Sequence, residues 1–284
     1  MTFQPVSAEY GFGEALKAAG AKFGRLCVGI DPHAQLLEKW GLGANVDGLK
    51  RFTDACVVAF SGNVALVKPQ VAFYEAFGHQ GFKILEDAID ALRAAGTLVV
   101  ADAKRGDIGS TMAGYATAWL EDRSPLCSDA VTVSPFLGFG SLSPAFEVSQ
   151  TTGRGVFVLA ATSNPEARQL QDQANADGVS ISQQMVDAAA ALNAAAGHQG
   201  QAGNIGVVIG ATLAAPPRLN ELNGPVLLPG VGAQGASAAD VARITEGVED
   251  LSFANISRAI LSAGPSAKDL RDAALRAAAE FSSR

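Results

Sequence analysis

Eight short apolar segments, most of them rich in β-branched residues, recur along the chain with helical patterns between them. Strands that alternate with helices pair in parallel through right-handed crossovers, and eight such units close into a barrel. We therefore predict an α/β fold, a single (β/α)8 barrel. The predicted strands are 26–30, 64–67, 97–101, 130–133, 156–160, 205–209, 226–228 and 251–254. A doubly wound open sheet is the alternative, but charged or polar residues follow nearly every strand, which is where a barrel assembles its site.

The connections predict one domain over residues 1–284. The segment 83–95 has the pattern of an amphipathic helix. The segment 164–204 is longer than a normal crossover and is rich in Ala, Gln and Asn, with a helical run over 180–196. We interpret it as an insertion after the fifth strand rather than as a second domain. A helix over 268–281 is expected to close the barrel.

Composition limits the partners. The chain has 284 residues, 48% hydrophobic and 17% charged, which is typical of a globular protein with a large core. A net charge of -7 without a basic stripe argues against a nucleic-acid partner. A small anionic substrate remains compatible, because one or two well-placed cations outweigh a diffuse surface charge at contact distance.

Cysteine, histidine and hydropathy patterns predict neither disulfides, nor a metal site, nor a membrane segment. Cys27, Cys56 and Cys127 are widely spaced without a CxxC pair, which favours a reducing compartment. The three histidines are isolated from one another and from carboxylate pairs at metal spacing; they are His33, His79 and His198. The first twenty residues lack the pattern of a secretory leader, and no window approaches 18 apolar residues. We expect a cytoplasmic protein.

A charged cluster ends the third predicted strand. Leu98, Val100, Asp102 and Lys104 share one face of an extended strand, so an apolar face becomes charged within two residues. Burying Asp or Lys costs several kcal/mol unless each finds a partner, and here each supplies the other's, with Asp107 close behind on the following loop. The cluster indicates a catalytic site. A structural ion pair at a strand end is the alternative.

The first two predicted strands end in the same way. Asp31 follows the first and Lys68 the second, and both stand at the alternate positions whose side chains point inward. In a barrel these groups would share one mouth with Asp102 and Lys104, where alternating charges satisfy one another. Three converging strands favour a catalytic site over a structural pair. We expect Lys104 to be a cation at neutral pH, which suits a proton donor or an electrostatic stabiliser rather than a Schiff base.

A glycine-rich loop follows the seventh predicted strand. Residues 227–235 match the GxGxxG spelling of a dinucleotide-binding loop, with Glu249 and Asp250 nearly twenty residues further on. That fingerprint belongs to a first βαβ unit, whereas only one predicted strand remains here. A phosphate-binding loop completed by Arg258, just after the eighth strand, is the favoured interpretation. The third interpretation is a loop whose glycines only allow the chain to turn, without binding a ligand.

In combination, these motifs resemble those of the orotidine 5'-phosphate decarboxylase family, in its longer bacterial branch. Residues 102–108 look like its DxKxxDI signature, and residues 29–32, 67–69 and 229–235 stand in the expected order. The match spans nearly the whole chain. The resemblance implies a TIM barrel that converts orotidine 5'-phosphate to uridine 5'-phosphate (UMP) and CO2, the last step of de novo pyrimidine nucleotide biosynthesis.

The resemblance also implies roles for individual residues. The charged tetrad would be Lys68, Asp102, Lys104 and Asp107. Asp107, Ile108 and Thr111 would reach the site of a partner subunit in a homodimer. The remaining substrate contacts would be Asp31 and Lys68 at the ribose hydroxyls, Ser163 at the pyrimidine, Pro229 in the binding loop, and Gln234 and Arg258 at the phosphate. Ser257 stands where much of the family has Gly.

The implied reaction loses CO2 from a pyrimidine ring carbon and leaves a carbanion without an obvious electron sink. A cation fixed beside that carbon stabilises the charge and supplies the proton, so we expect no cofactor and no metal. Lys104 is the candidate. Three alternatives remain: a sugar-phosphate decarboxylase or aldol-type synthase that relies on Mg2+, a non-catalytic nucleotide-binding barrel, and an NAD-dependent oxidoreductase.

Overall fold

Eight parallel strands form a closed barrel in chain order in the computed structural model, which describes residues 6–196 and 200–281. The strands are β1 Leu26–Ile30, β2 Leu66–Pro69, β3 Leu98–Arg105, β4 Ala130–Val133, β5 Gly155–Ala161, β6 Ile205–Ile209, β7 Val226–Pro229 and β8 Ser252–Ile256. Because β1 pairs in parallel with both β2 and β8, the predicted barrel is confirmed and the open sheet is excluded.

Helices surround the barrel. They are α1 Phe12–Phe23, α2 Ala34–Lys39, α3 Val46–Phe60, α4 Val71–Glu75, α5 Gly78–Ala94, α6 Gly109–Leu120, α7 Ser143–Thr152, α8 Arg168–Gln171, α9 Ile181–Ala195, α10 Ala238–Ile244, α11 Arg258–Leu261 and α12 Ala267–Glu280. Short 3-10 turns cover Phe139–Leu142, Pro165–Ala167 and Glu249–Leu251. The connection from β6 to β7 is an irregular loop over the described residues 210–225. Pro216, Pro217 and Pro225 interrupt any helix there.

The barrel interior is filled by every second residue of the strands, as the predicted alternation of inward and outward side chains requires. The buried inward residues are Cys27, Leu66, Leu98, Val100, Ala130, Phe157, Val208, Leu227 and Phe253. Helix α1, which was not predicted from the sequence, covers the amino ends of the strands. Its Phe12 ring meets Phe157 edge to face at a centroid distance of 5.8 Å. The amino end is therefore packed, and the open space lies at the carboxyl ends of the strands.

The segment 164–204 contains an ordinary crossover helix as well as additional chain. Helix α9 packs against β5 and β6, and the Ser180 side chain caps it by accepting from the Gln183 N–H. The helix predicted over 180–196 is thus confirmed within one residue. The additional chain is the part that precedes α9, including α8. Its interpretation as an insertion within a single domain stays a prediction.

The cysteines are buried and free, and they are Cys27, Cys56 and Cys127. Within the described ranges, no helix combines the length and the apolar character needed to cross a membrane. His198 lies outside the described residues.

Candidate active site

Most of the predicted site residues line one cavity of about 330 Å³ at the carboxyl ends of the strands. Asp31, directly after β1, and side chains of β2 and β3 meet there with the loops that follow β5, β7 and β8. The predicted residues that it gathers are Asp31, Lys68, Asp102, Lys104, Ser163, Pro229, Gln234 and Arg258. A barrel brings these distant segments together because all its strands point the same way.

The carboxylate of Asp102 is the centre of the charged cluster. Its Oδ2 accepts from Lys68 Nζ at 2.6 Å and from Gln70 Nε2 at 2.8 Å. Its Oδ1 accepts from Lys104 Nζ at 2.6 Å and from Thr132 Oγ1 at 3.0 Å. Four donors on one buried carboxylate fix its orientation, and through it the position of the Lys104 ammonium.

The two buried members of this cluster are ionised at neutral pH. Burial by itself would raise the pKa of Asp102, but the ammonium groups of Lys68 and Lys104 outweigh it and hold that pKa well below its usual range. Burial likewise opposes the charged form of Lys68, but the carboxylates of Asp102 and Asp31 outweigh it and raise the pKa of Lys68. The predicted alternation of charges is present in the cavity.

Lys104 adopts a left-handed backbone conformation at the end of β3, with φ of +47°. Such a conformation costs a non-glycine residue about 1–2 kcal/mol. The surroundings hold it: Lys104 N–H donates to Thr132 Oγ1 at 2.9 Å, and the β3–β4 register shifts between Ala101 and Arg105. With this backbone conformation, the half-exposed side chain pairs with Asp102 and lines the cavity.

Asp31 presents an unused acceptor. Its Oδ1 is buried and has no hydrogen-bond partner among the described residues, although the side chain lines the cavity. A buried carboxylate oxygen without a partner is costly, so this atom is suited to a ligand that donates hydrogen bonds. Close by, a Cβ on Gly29 would lie 1.9 Å from Ser257 Oγ, so Ser257 packs directly against the β1 backbone.

The glycine-rich loop closes over the cavity after β7. Gly230, Gly232 and Gly235 all have positive φ angles. Gln234 Oε1 accepts from Ser163 Oγ at 2.7 Å, which joins this loop to the one after β5. The dinucleotide-fold alternative is excluded, because the loop follows the seventh strand of a closed barrel rather than the first strand of an open sheet.

Asp107, Ile108 and Thr111 are not among the residues that line the cavity of their own chain. Asp107 Oδ1 accepts from the Ile108 N–H at 2.7 Å, while Lys104 pairs with Asp102. The Ile108 side chain is 63% exposed, and Thr111 is exposed as well. Their roles stay predictions.

Several neutral polar residues of the site were not predicted from the sequence. Gln70, Thr132 and Asn255 line the cavity. Each stands two positions after an inward residue of its strand, so the period of two was the signal that could have found them.

Among the described residues, no group of three or more His, Cys, Asp and Glu side chains is arranged to hold a metal ion.

A closed (β/α)8 barrel with paired ammonium and carboxylate groups, a glycine-rich loop and an arginine at one mouth defines a barrel enzyme for a small anionic substrate. Residues 24–273 match the model of the orotidine 5'-phosphate decarboxylase / HUMPS family. The chain belongs to this family.

Individual relatives agree with that assignment. The chain is 65% identical over 270 residues to the orotidine 5'-phosphate decarboxylase of Corynebacterium glutamicum (strain R), a match that covers 95% of this chain and 97% of the relative. It is 63% identical to that of Corynebacterium efficiens, with coverages of 95% and 96%. A crystal structure of a putative orotidine 5'-phosphate decarboxylase from Streptomyces avermitilis superposes with a TM-score of 0.90, at 48% identity and coverages of 99% and 96%.

Proposed function

We propose that this chain catalyses the decarboxylation of orotidine 5'-phosphate to UMP and CO2, the last step of de novo pyrimidine nucleotide biosynthesis. The observation that carries the proposal is the Lys68–Asp102–Lys104 ion cluster in the barrel mouth. The relatives named as orotidine 5'-phosphate decarboxylases at 65% identity favour this activity over the sugar-phosphate decarboxylase or aldol-type synthase alternative. An intact cluster also argues against a non-catalytic barrel.

The chemistry follows from the position of Lys104. The bond between the pyrimidine ring carbon and the departing carboxylate breaks, and its electron pair stays on the ring carbon. The Lys104 ammonium, held by Asp102 at 2.6 Å, stabilises that charge and then donates its proton to the same carbon. Its half-exposed side chain allows it to regain a proton from water. No cofactor enters this sequence.

The rest of the cavity supplies substrate binding. Asp31, with its unpaired buried oxygen, and Lys68 suit the ribose hydroxyls. Gln234 and Arg258 suit the phosphate, with Pro229 beside them, and Ser163 suits the pyrimidine. Phosphate binding far from the reacting carbon would supply free energy to close the glycine-rich loop and exclude water.

The proposed reaction is tested by the ultraviolet absorbance of orotidine 5'-phosphate mixed with purified protein in excess EDTA. We expect rapid conversion to UMP, unchanged when Mg2+ is added, because the charge is stabilised by Lys104. Absence of conversion by a folded protein would refute the proposal. Conversion that EDTA abolishes and Mg2+ restores would refute the metal-free mechanism.

We further propose that a second copy of the chain completes the site. A wider opening of about 880 Å³ lies beside the cavity and also borders Lys104. Ile108, Phe136 and Leu137 are 63%, 76% and 53% exposed on the loops after β3 and β4. Since β3 pairs with β4, these loops are adjacent, and a patch of exposed apolar side chains is typical of an interaction surface. In a homodimer joined there, Asp107, Ile108 and Thr111 of each copy would enter the opening of the other.

Mixed dimers test this arrangement. The variants Lys104→Ala and Asp107→Ala are expected to be inactive alone. When they are unfolded together and refolded, random pairing gives about a quarter of the sites an intact Lys104 and an intact Asp107 from different chains. Activity should rise towards that fraction of wild type. Mixing Lys104→Ala with Lys104→Met is the matched control and should restore nothing. A Lys104→Ala and Asp107→Ala mixture that stays inactive would contradict the shared site.

Location in the cytoplasm stays a prediction, as does the organisation of the whole chain as one domain.

A further inference from the structure

Two side chains of α8 hold the loop that carries Ser163. The Thr162 N–H donates to Gln171 Oε1 at 2.8 Å, and the Thr162 carbonyl accepts from Arg168 Nη2 at 3.0 Å. Arg168 Nη2 also donates to Gln171 Oε1 at 2.8 Å. Both backbone polar groups of Thr162 are therefore fixed by one pair of side chains. We call Arg168 and Gln171 the α8 clamp.

The α8 clamp is anchored to the barrel wall. The Gln171 carbonyl accepts from Ser182 Oγ at 2.9 Å, and the Gln173 carbonyl accepts from the Ile181 N–H at 2.7 Å. Both donors belong to α9, which packs against β5 and β6. The clamp thus transmits the position of a rigid helix to a loop at the mouth.

The α8 clamp holds Thr162, and the next residue, Ser163, makes the hydrogen bond to Gln234. Because the peptide unit is planar, fixing the N–H and carbonyl of Thr162 largely sets the direction in which the chain continues to Ser163. Ser163 also lies close to the end of β6, since a Cβ on Gly210 would approach its backbone N to 2.7 Å. Its hydroxyl then donates to Gln234 Oε1 at 2.7 Å.

We propose that Arg168 and Gln171 are positioning residues that hold the loop after β5 ready to bond the loop after β7. This inference rests on the proposed function, in which Ser163 and Gln234 contact the substrate. A loop that is already ordered loses less conformational freedom when the site closes, so the closed state is more populated. The part of the segment 164–204 that precedes α9 therefore contributes to the reaction through α8.

Gln171→Ala removes the acceptor shared by Thr162 N–H and Arg168. We expect kcat/KM for orotidine 5'-phosphate to fall about tenfold, because the hydrogen bonds of the Gln171 side chain to Thr162 and Arg168 are lost. Gln171→Glu keeps an acceptor oxygen for both donors and should restore most of the loss. Gln173→Ala is the matched control, because that side chain is exposed two residues away, and it should leave kcat/KM unchanged.

A double-mutant cycle separates positioning from a merely structural role. If the α8 clamp acts through the Ser163–Gln234 bond, Gln171→Ala should lower kcat/KM less than about twofold when Gln234→Ala is already present. A loss of folded protein would instead lower it by the same factor in both backgrounds. Equal factors would overturn the proposal.

Amide hydrogen exchange gives a readout that needs no turnover. Gln171→Ala should accelerate exchange in residues 230–236, which are distant in sequence but joined to the loop by Ser163. Gln173→Ala should not. Unchanged exchange in 230–236 would overturn the inference even if the enzyme were active. Absence of decarboxylation by the wild-type protein would refute the proposed function, while this measurement would still decide the α8 clamp.

Discussion

Lys104→Ala is expected to lower the turnover of orotidine 5'-phosphate by about four to seven powers of ten. The side chain acts twice in the proposed reaction, first as the cation beside the developing carbanion and then as the proton donor. Each effect is individually worth orders of magnitude, and both vanish with one ammonium group. The fold should survive, because the Lys104 side chain is 45% exposed and its backbone bond to Thr132 remains.

Turnover of Lys104→Ala is measured with enzyme in excess over substrate, so that a slow single turnover is visible by absorbance. Lys50→Ala is the matched control, because it removes an exposed lysine from an ion pair with Asp54 on α3. It should retain wild-type activity. Activity of Lys104→Ala within tenfold of wild type, with native circular dichroism, would remove Lys104 from the proton-donor role.

Asp102→Asn is expected to lower both activity and stability. The change leaves the ammonium of Lys68, whose side chain is only 6% exposed, without the carboxylate that binds it at 2.6 Å. Removing one partner of a buried ion pair costs about 3–5 kcal/mol of the free energy of unfolding. Lys104 also loses its orienting partner, so turnover should fall by at least about a hundredfold. Asp54→Asn, in an exposed pair, should cost less than about 1 kcal/mol.

The stability effect of Asp102 should depend on pH in a fixed direction. Lys68 and Lys104 lower the pKa of Asp102 in the folded protein. Its stabilising contribution is therefore fully present above its unfolded pKa of about 3.9, and it is lost as the pH falls through the lowered folded value. Urea unfolding should show a constant difference between wild type and Asp102→Asn from neutral pH down to about 5, and a shrinking difference below about 4. A difference that grows on acidification would contradict the ion-pair assignment.

The strand positions could be predicted because more than one sequence signal marks them. Each predicted strand is an apolar run, and polar or charged residues follow nearly every one at its carboxyl end. The alternation of inward and outward side chains then placed Asp31, Lys68, Asp102 and Lys104 on the inner side. The main difference is the length of β3, which continues to Arg105. Charged residues normally argue against a buried strand, but here Lys68 and Thr132 satisfy the Asp102 carboxylate.

Tertiary contacts without a local pattern could not be predicted. Helix α1 is apolar on the face that covers the barrel, yet nothing in residues 12–23 says which end it covers. Gln70 and Thr132 are uncharged, so the period of two places them on the inner side of the barrel but does not mark them as partners of Asp102. Asp107 follows Lys104 by three residues, but the turn into α6 directs it away from the cavity of its own chain.

Among the residues that the structure describes, the packing of α1 against the barrel leaves the mouth as the route between the cavity and the solvent. Phe12, Phe157 and Phe253 are almost completely buried and block any path along the barrel axis. Substrate and both products must then use the same passage. The nucleotide product therefore has to leave through the mouth before the next substrate molecule can enter.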